Sequence, residues 1–380
     1  MFGISPINLA LFKRLLRESG LSLSPFSYWY GLQMLKALNN ANHHQIRKLA
    51  QKPCAKNLLI SHYFLALSYF LCGEYAQAEQ AVKNIENFTK IPEIIFLYSE
   101  ILQKQNRKAQ ARKILEECAL TLPRKKVWVY LANLVDSPEE YQQFCQHLEC
   151  VQKRTTFLQQ DAQQHQRVNA ALRAGLDDIA LALCQSSHKA KKSKVSTYSD
   201  KLAAQALNDL KFVMAQQNIP FFLISGTLLG CIREGKLLGH DKDIDVGVWD
   251  DYDYEQLATL LGQSGYFYIV PTRTKHLVML RHLNGIVIDV FIHYREENDY
   301  WHAGVKIKWH NSAFELAEKE FLGNNYLIPK DYDRYLTENY GDWKTPKVDF
   351  DSAFDTENME VINLTETNIY IYRKYGEFLK

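Results

Sequence analysis

The chain has few cysteines, and none of them is arranged as a ligand pair. Seven are scattered over 380 residues, at Cys54, Cys72, Cys118, Cys145, Cys150, Cys184 and Cys231. Their number is odd and no two form a CxxC pair. That pattern excludes a disulfide scaffold and points to reduced core thiols in a cytosolic protein. His147 and Cys150 have no second ligand pair at zinc-like spacing, so a zinc site is not expected there. An excess of charge of one sign is also missing, since 45 Lys+Arg stand against 43 Asp+Glu, a formal net charge of +2. The balance argues against a general nucleic-acid coater, and it excludes an acidic solvating tail or a disordered chain. Long apolar runs are lacking too. Leu58 to Cys72 falls short of the roughly 20 residues that a membrane span needs, and it carries His62 inside. The first twenty residues show no basic region ahead of the apolar stretch and no small-residue cleavage site. The expectation is a soluble, cytoplasmic protein with no transmembrane span.

What is present is enough apolar material for real cores: 47% of residues are hydrophobic and 23% charged. At about 150 residues per domain the length suggests two domains. Two kinds of patterning divide the chain accordingly. Up to about Cys184 apolar residues recur at three- and four-residue steps, glycine is sparse, and Pro25, Pro53, Pro92, Pro123 and Pro138 mark turns. A weak internal repeat lies within this half. GEYAQAEQAV from Gly73 resembles NRKAQARKIL from Asn106, with Ala78 matching Ala111 and Val82 matching Leu115. Helix–turn–helix units about 33 residues apart, with small residues at helix crossings, suggest tetratricopeptide-like repeats stacked into an array. The tryptophan that opens that consensus is missing, and an irregular helical bundle is the alternative.

Residues 185–198, QSSHKAKKSKVSTY, are polar and carry four lysines without an acid, so they read as a basic linker. Beyond it the period changes. A helix is expected from about Ser199 to Gln217 and another at YEQLATLLGQ from Tyr254. Strands are expected at Phe221–Ser225, Asp243–Trp249, Tyr266–Val270, Leu277–Leu283 and Ile286–Tyr294. Helices on a small mixed sheet give an α/β or α+β domain. The predicted organisation is therefore multidomain, α and α+β. It has an all-α helical-repeat domain over 1–184, a linker over 185–198 and a mixed-sheet domain over 199–380.

The chemistry concentrates in the second half. In HDKDIDVGV, from His240, residues two apart on an extended strand share a face. Asp241, Asp243 and Asp245 then project together, while Ile244, Val246 and Val248 face a core. Clustered carboxylates repel one another unless a cation lies between them, and hard oxygen ligands suit Mg²⁺ or Mn²⁺. The plain alternative is a solvated acidic edge strand. Asp289 lies inside IVIDVFI, an apolar run expected to be a central strand, where a carboxylate is costly unless paired or metal-bound. It reads as a further carboxylate brought to the same centre. Upstream, ISGTLLGCIREGK places Gly226 and Thr227 at a strand–helix turn whose backbone N–H groups suit a phosphate. Arg233 and Lys236 follow one or two turns later as cations for a diphosphate. His240 either touches phosphate or caps the strand. Trp301, Tyr340 and Trp343 are either sugar platforms or core residues, with the core favoured.

The order of these blocks, a hydrophobic-SGT turn, a DhD motif and then a further Asp on a later strand, resembles the nucleotidyltransferase superfamily fold. More specifically, SGTLLGCIREGKLLGHDKDIDVGVW, LRHLNGIVIDVFIHY and FLGNNYLIPKDYDRYLTENYGDWKTP resemble the LicD/fukutin-like phosphotransferases, over about residues 200 to 350. The resemblance implies transfer of a phosphorylated small group, such as ribitol or glycerol phosphate or phosphocholine, from a CDP-activated donor to a sugar hydroxyl. It makes Asp243, Asp245 and Asp289 catalytic and, with Asp241, metal-binding. Gly226, Thr227, Arg233, Lys236 and His240 would handle the donor. The cysteine-rich loops and N-terminal membrane anchor found in human members are not in this sequence. A bacterial-type enzyme of capsule, teichoic-acid-like or lipopolysaccharide synthesis is expected, cytoplasmic or peripheral at the inner face of the membrane. Its partners would be the CDP-linked donor, a glycan acceptor and, through the helical repeats, a protein of the polymer-assembly machinery; nucleic acid is not among them. Rival readings are a nucleotidyltransferase that attaches NMP to a small molecule or protein, and a non-catalytic repeat protein that binds a partner.

Overall fold

The structure, a computed structural model, describes residues 6–18, 25–55, 58–121, 124–154, 160–186, 199–239, 243–347 and 350–376. Two compact units emerge: residues 1–191 together with 368–380, and residues 192–367. The end of the chain thus departs from the expected 199–380 domain. The reason is local: Ile369 and Ile371 are buried, and the Tyr372 hydroxyl donates to the Gln185 carbonyl at 3.0 Å. Most of the lysine-rich segment, residues 187–198, lies outside the described residues.

The first unit is helical throughout. In order it runs α1 (Pro6–Glu18), α2 (Pro25–Asn39), α3 (His43–Ala50), α4 (Leu59–Leu71), α5 (Tyr75–Lys83), α6 (Pro92–Lys104), α7 (Lys108–Thr121), α8 (Lys125–Asn133), α9 (Pro138–Arg154), α10 (Gln160–Arg173) and α11 (Asp177–Gln185). From α2 on, the helices pair as hairpins, and four of the five turns close in the same way. Ala41, Gly73, Asn106 and Gly175 each adopt a left-handed backbone, with φ of 49°, 75°, 59° and 69°. In each case the next N–H reaches back five residues, from Asn42 to Ala37, Glu74 to Tyr69, Arg107 to Leu102 and Leu176 to Ala171. This is the helix-ending motif in which a left-handed residue satisfies the orphaned terminal carbonyls. The four turns are 32, 33 and 69 residues apart. The spacing seen between Gly73 and Asn106 in the sequence therefore extends to either side as repeated helix–turn–helix units. The α8–α9 turn is the exception, and there the Ser137 hydroxyl accepts the Glu140 N–H of α9.

Packing explains the matched residues of the repeat. Ala78 and Ala111, Val82 and Leu115 are all fully buried. Leu58 to Cys72 becomes α4, which packs against α2, α3 and α5. No helix among the described residues is long and apolar enough to cross a membrane.

The second unit runs α12 (Asp200–Ala215), β1 (Phe221–Leu223), α13 (Ser225–Arg233), β2 (Asp243–Trp249), α14 (Tyr254–Gly262), β3 (Phe267–Val270), β4 (Leu277–His282), β5 (Val287–Arg295), β6 (Tyr300–Ala303), β7 (Ile307–Asn311), β8 (Leu316–Phe321), β9 (Asn324–Pro329), α15 (Tyr332–Tyr340) and β10 (Met359–Val361); α16 (Leu364–Tyr375) starts here and from residue 368 belongs to the first unit. The five strands read from the sequence all form. Ser225, however, opens α13 rather than ending β1. The sheet is mixed, in the order β10-β7-β6-β5-β2-β1-β9-β8, with β4 also pairing β5 and β3 pairing β4. At its centre β2 and β5 run parallel, while β1 lies antiparallel on the other side of β2. Ile244, Val246 and Val248 of β2 and Ile288, Val290 and Ile292 of β5 are buried together on one face.

The small helix-crossing residues of the first unit give a direct test. Ala78→Leu adds three carbons where no space remains, which should destabilise that unit by about 1–3 kcal/mol. Chemical denaturation should show the loss. The same change at the exposed Ala76, two residues earlier on α5, should leave stability within about 0.5 kcal/mol.

Candidate active site

The site is built on the central pair of strands. In the parallel register of β2 and β5, Asp245 lies opposite Asp289, and Asp243 opposite Val287. Residues opposite one another in a parallel ladder point to the same face. The carboxylates of Asp243, Asp245 and Asp289 therefore share one face, with the aliphatic core on the other. Asp243 and Asp245 are half-buried and Asp289 is buried. The Asp289 Oδ1 has no hydrogen-bond partner within the protein. Burial, and then the charge of Asp243, raise the Asp289 carboxyl from its ordinary 3.8 to about 7.

A tight turn holds β2 in place. Ser225 takes a left-handed φ of 47°, an uncommon geometry for a non-glycine residue, as the chain reverses from β1 into α13. The backbone of Asp245 is then bound twice. Its N–H donates to Thr227 Oγ1 at 2.8 Å, and its carbonyl accepts the Ile224 N–H at 3.3 Å. Thr227 is fully buried, and its side chain anchors the acidic strand. Gly226 is half-buried in the first turn of α13.

Arg233 and Lys236 are not brought to the carboxylates. Arg233 ends α13, about 12 Å along the helix from Ser225. Its Nη1 donates to the Trp343 carbonyl at 3.2 Å and its Nη2 pairs with Glu234 at 3.1 Å, while Lys236 is exposed. The return loop packs closely on α13, since a Cβ at Gly230 would lie 2.6 Å from the Lys236 carbonyl oxygen. His240 and Asp241 lie outside the described residues.

Behind the acids, the same face of the sheet is aromatic. Phe222, His293, His302 and Trp309 form a continuous row, with successive centroids 4.9, 4.4 and 5.2 Å apart. Gly247 makes the row possible, because a Cβ there would lie 2.4 Å from the Phe222 ring and 2.8 Å from the His293 ring. Burial lowers His293 to about 3 and His302 well below its usual value, so both rings are neutral at physiological pH. Sequence reasoning missed Tyr335 of α15. It is buried, its hydroxyl has no partner, and its titration is raised by burial and next by Asp245. Its one signal was its place in YLTENYGDW. Of the aromatic residues weighed for sugar binding, Trp343 is buried and Tyr340 lies 5.0 Å from Phe350 in a tilted pair. Tyr294 stacks 4.0 Å from Trp301, whose ring also lies under Lys308 at 4.3 Å. A cleft of about 510 Å³ is lined by Tyr300, Phe314, Lys330 and Arg334 among others. Both Tyr300 and Phe314 touch Trp249, at the opposite end of β2 from Asp243.

Among the described residues, no group of three or more His, Cys, Asp or Glu side chains is already arranged to hold a metal ion. The acids nevertheless fit a hard cation in kind. All are oxygen donors, two repel each other, and one buried oxygen lacks a partner.

An aspartate pair thus stands at the centre of a mixed sheet, beside a strand–helix turn. Residues 218–331, within the second unit, match the family described as LicD/FKTN/FKRP, nucleotidyltransferase domain. The chain is 28% identical over 173 residues to "Ribitol-5-phosphate transferase FKTN" of Homo sapiens, covering 42% of this chain and 35% of that protein. The mouse protein of the same name matches to the same extent. An uncharacterized protein of Rickettsia prowazekii is 22% identical over 168 residues, covering 42% of this chain and 61% of its own length. The chain spans about a third of the FKTN relatives that it matches.

Two substitutions test the local physics. In Thr227→Val the Asp245 N–H loses its partner with little change of shape, at a cost of about 1–3 kcal/mol in urea denaturation. Asp289→Asn acts through pH. With a folded value near 7 against 3.8 unfolded, the unfolded state releases this proton first. The carboxyl costs nothing below 3.8, and its cost grows until pH passes 7. In EDTA the variant should therefore melt higher than the wild type at pH 8 and alike at pH 3.5. Added Mg²⁺ should raise the wild-type midpoint and leave the variant unmoved.

Proposed function

We propose that this protein is a metal-dependent transferase. It passes a polyol phosphate, such as ribitol or glycerol phosphate, or phosphocholine, from a CDP-linked donor to a sugar hydroxyl of a bacterial surface polysaccharide. The observation that carries the reading is the register pairing of Asp245 with a buried, unsatisfied Asp289 inside a LicD/FKTN/FKRP-type domain. The likeness to ribitol-5-phosphate transferases supports the same reaction class.

In this reading Asp241, Asp243, Asp245 and Asp289 hold Mg²⁺ or Mn²⁺. When bound, the ion neutralises charge on the donor diphosphate and on the transferring phosphoryl group. The chain's own groups do the remainder. Backbone N–H groups at Gly226, opening α13, receive donor phosphate at the positive end of the helix. Thr227 and Ile224 keep Asp245 in place through its backbone. The acceptor hydroxyl oxygen bonds to the phosphorus of the cargo phosphate, its proton passes to a carboxylate oxygen of Asp289, and the bond to CMP breaks. The aromatic-walled cleft by Tyr300 and Phe314 has the size of a small-ligand site and is assigned to the acceptor glycan. The helical unit, read as tetratricopeptide-like, holds the growing polymer or a protein of its assembly machinery.

The protein and Mg²⁺ should release CMP from one of CDP-ribitol, CDP-glycerol or CDP-choline when a surface-glycan fraction is supplied. Asp243→Ala and Asp289→Ala should each cut the rate at least about 100-fold while folding normally. Transfer at the wild-type rate by both variants would sink the catalytic assignment. NMP attached to the acceptor would move the enzyme to nucleotidyl transfer.

A further inference from the structure

The face of the sheet that carries the acids continues past them onto the β3–β4 hairpin, where it is left open. Directly opposite residues in an antiparallel ladder share a face. Met279 of β4 is paired with Asp289, and Arg281 with Val287, which is itself paired with Asp243. One strand further out, Val270 is paired with Met279 and Tyr268 with Arg281. Two transverse rows therefore run outward from the acids, Asp245-Asp289-Met279-Val270 and Asp243-Val287-Arg281-Tyr268. On the opposite face of the same hairpin Phe267, Val278, Leu280 and His282 are buried. On the acid face Tyr268, Val270 and Met279 are only half-buried, and Arg281 is exposed. Uncovered apolar surface beside a charged centre points to a ligand that spans both.

The outer end of the second row has the chemistry of a nucleobase platform. The Arg281 guanidinium carbon lies over the Tyr268 ring, 5.1 Å from its centroid. The ring holds a flat cation from one side, and the exposure of Arg281 leaves the other side to solvent. Among the described residues its guanidinium is paired with no carboxylate. Bases stack on tyrosine rings and on guanidinium planes alike. Adjacent strands lie about 4.8 Å apart, so Arg281 stands about 10 Å across the sheet from Asp243. A phosphate at the acids and its base on Arg281 are joined across that gap by one ribose, with Val287 and Met279 as the floor between them.

We propose that Tyr268 and Arg281 form the subsite for the nucleobase of the nucleotide-linked donor, an assignment that rests on the transferase reading for its ligand. The base stacks on the outer side of the guanidinium, and Tyr268 positions that guanidinium from beneath. The diphosphate then lies at the acids and at the opening of α13, on the other side of β2 and β5 from the hairpin. Nucleoside and cargo thus leave the reacting centre in different directions.

The test compares CMP with ribose 5-phosphate, which carries the same phosphate and no base. Each is titrated calorimetrically into the full chain with Mg²⁺ present. The wild type should bind CMP the more tightly. Arg281→Ala should weaken CMP binding at least about fivefold and leave ribose 5-phosphate unchanged. Arg281→Lys keeps the charge but loses the plane, and it should lose CMP affinity as well. Arg281 is exposed, so both variants should fold, and Tyr268→Leu, which removes the ring beneath the cation, gives an independent reading. Equal loss of CMP and ribose 5-phosphate would make Arg281 a phosphate ligand and overturn the base assignment. So would wild-type CMP binding by Arg281→Ala and Tyr268→Leu, or a wild type that binds CMP no tighter than ribose 5-phosphate. Selective loss of CMP in the variants of a protein that transfers nothing from any CDP-linked donor would uphold the subsite and remove the transferase reading.

Discussion

The parallel ladder between β2 and β5 is the constraint on which the second unit depends. It sets Asp245 beside Asp289, and the apolar residues between the acids keep it in register. Ile244, Val246 and Val248 share a buried face with Ile288, Val290 and Ile292. A slip of one residue would turn the carboxylates into that core and the aliphatic side chains out of it. The hydrophobic effect on one face thus enforces a charge-repelling arrangement on the other. Asp289 bears the consequence, as a buried carboxyl with an unsatisfied oxygen and a titration near neutrality. Polar atoms left in this state cluster at functional sites.

Around that ladder, local devices hold the acids still. The strained Ser225 turn brings Thr227 and Ile224 to the two sides of the Asp245 backbone, so a hydroxyl and a peptide group fix a strand whose side chains are left to do chemistry. The aromatic row from Phe222 to Trp309 crosses the sheet behind the acids, and it closes only because residue 247 has no side chain. Neutral histidines in this row add rigid planar surface without charge. The result is an acidic centre backed by a stiff wall, with a cleft at the far end of the same strand.

The helical unit follows a different logic. Its units repeat because one turn geometry repeats, and that geometry tolerates glycine, asparagine and alanine at the left-handed position. This breadth explains why only the Gly73 and Asn106 copies were visible in the sequence. The Ala41 and Gly175 copies share the backbone without sharing the surrounding residues. A further consequence concerns α1, which touches α2 through Phe12, α4 through Phe64, and α6 through Glu93, crossing the first helix of three successive hairpins. Its burial makes α6 apolar on nearly every face.

Periodicity and composition settled much by themselves. The change from a helical to a strand period, the five strands through Tyr294 and the two-residue spacing that aligns Asp243 with Asp245 all depend on neighbours in the chain, and they were legible there. The short strands β6 to β10 were not, since YWHA and MEV carry no alternation long enough to read. Position along the chain likewise suggested Arg233 and Lys236 as cations for a diphosphate, because both follow the SGT turn closely. The helix between them carries Arg233 a dozen ångströms away, where Trp343, more than a hundred residues later, takes its hydrogen bond. Thr227 turned inward and Tyr335 arrived from α15 for the same reason. The sequence by itself determined which carboxylates share a strand face. Only the tertiary structure decided that Asp289 stands opposite them and which hydroxyls and cations stand near, because those choices rest on burial and on contacts between residues far apart in the chain.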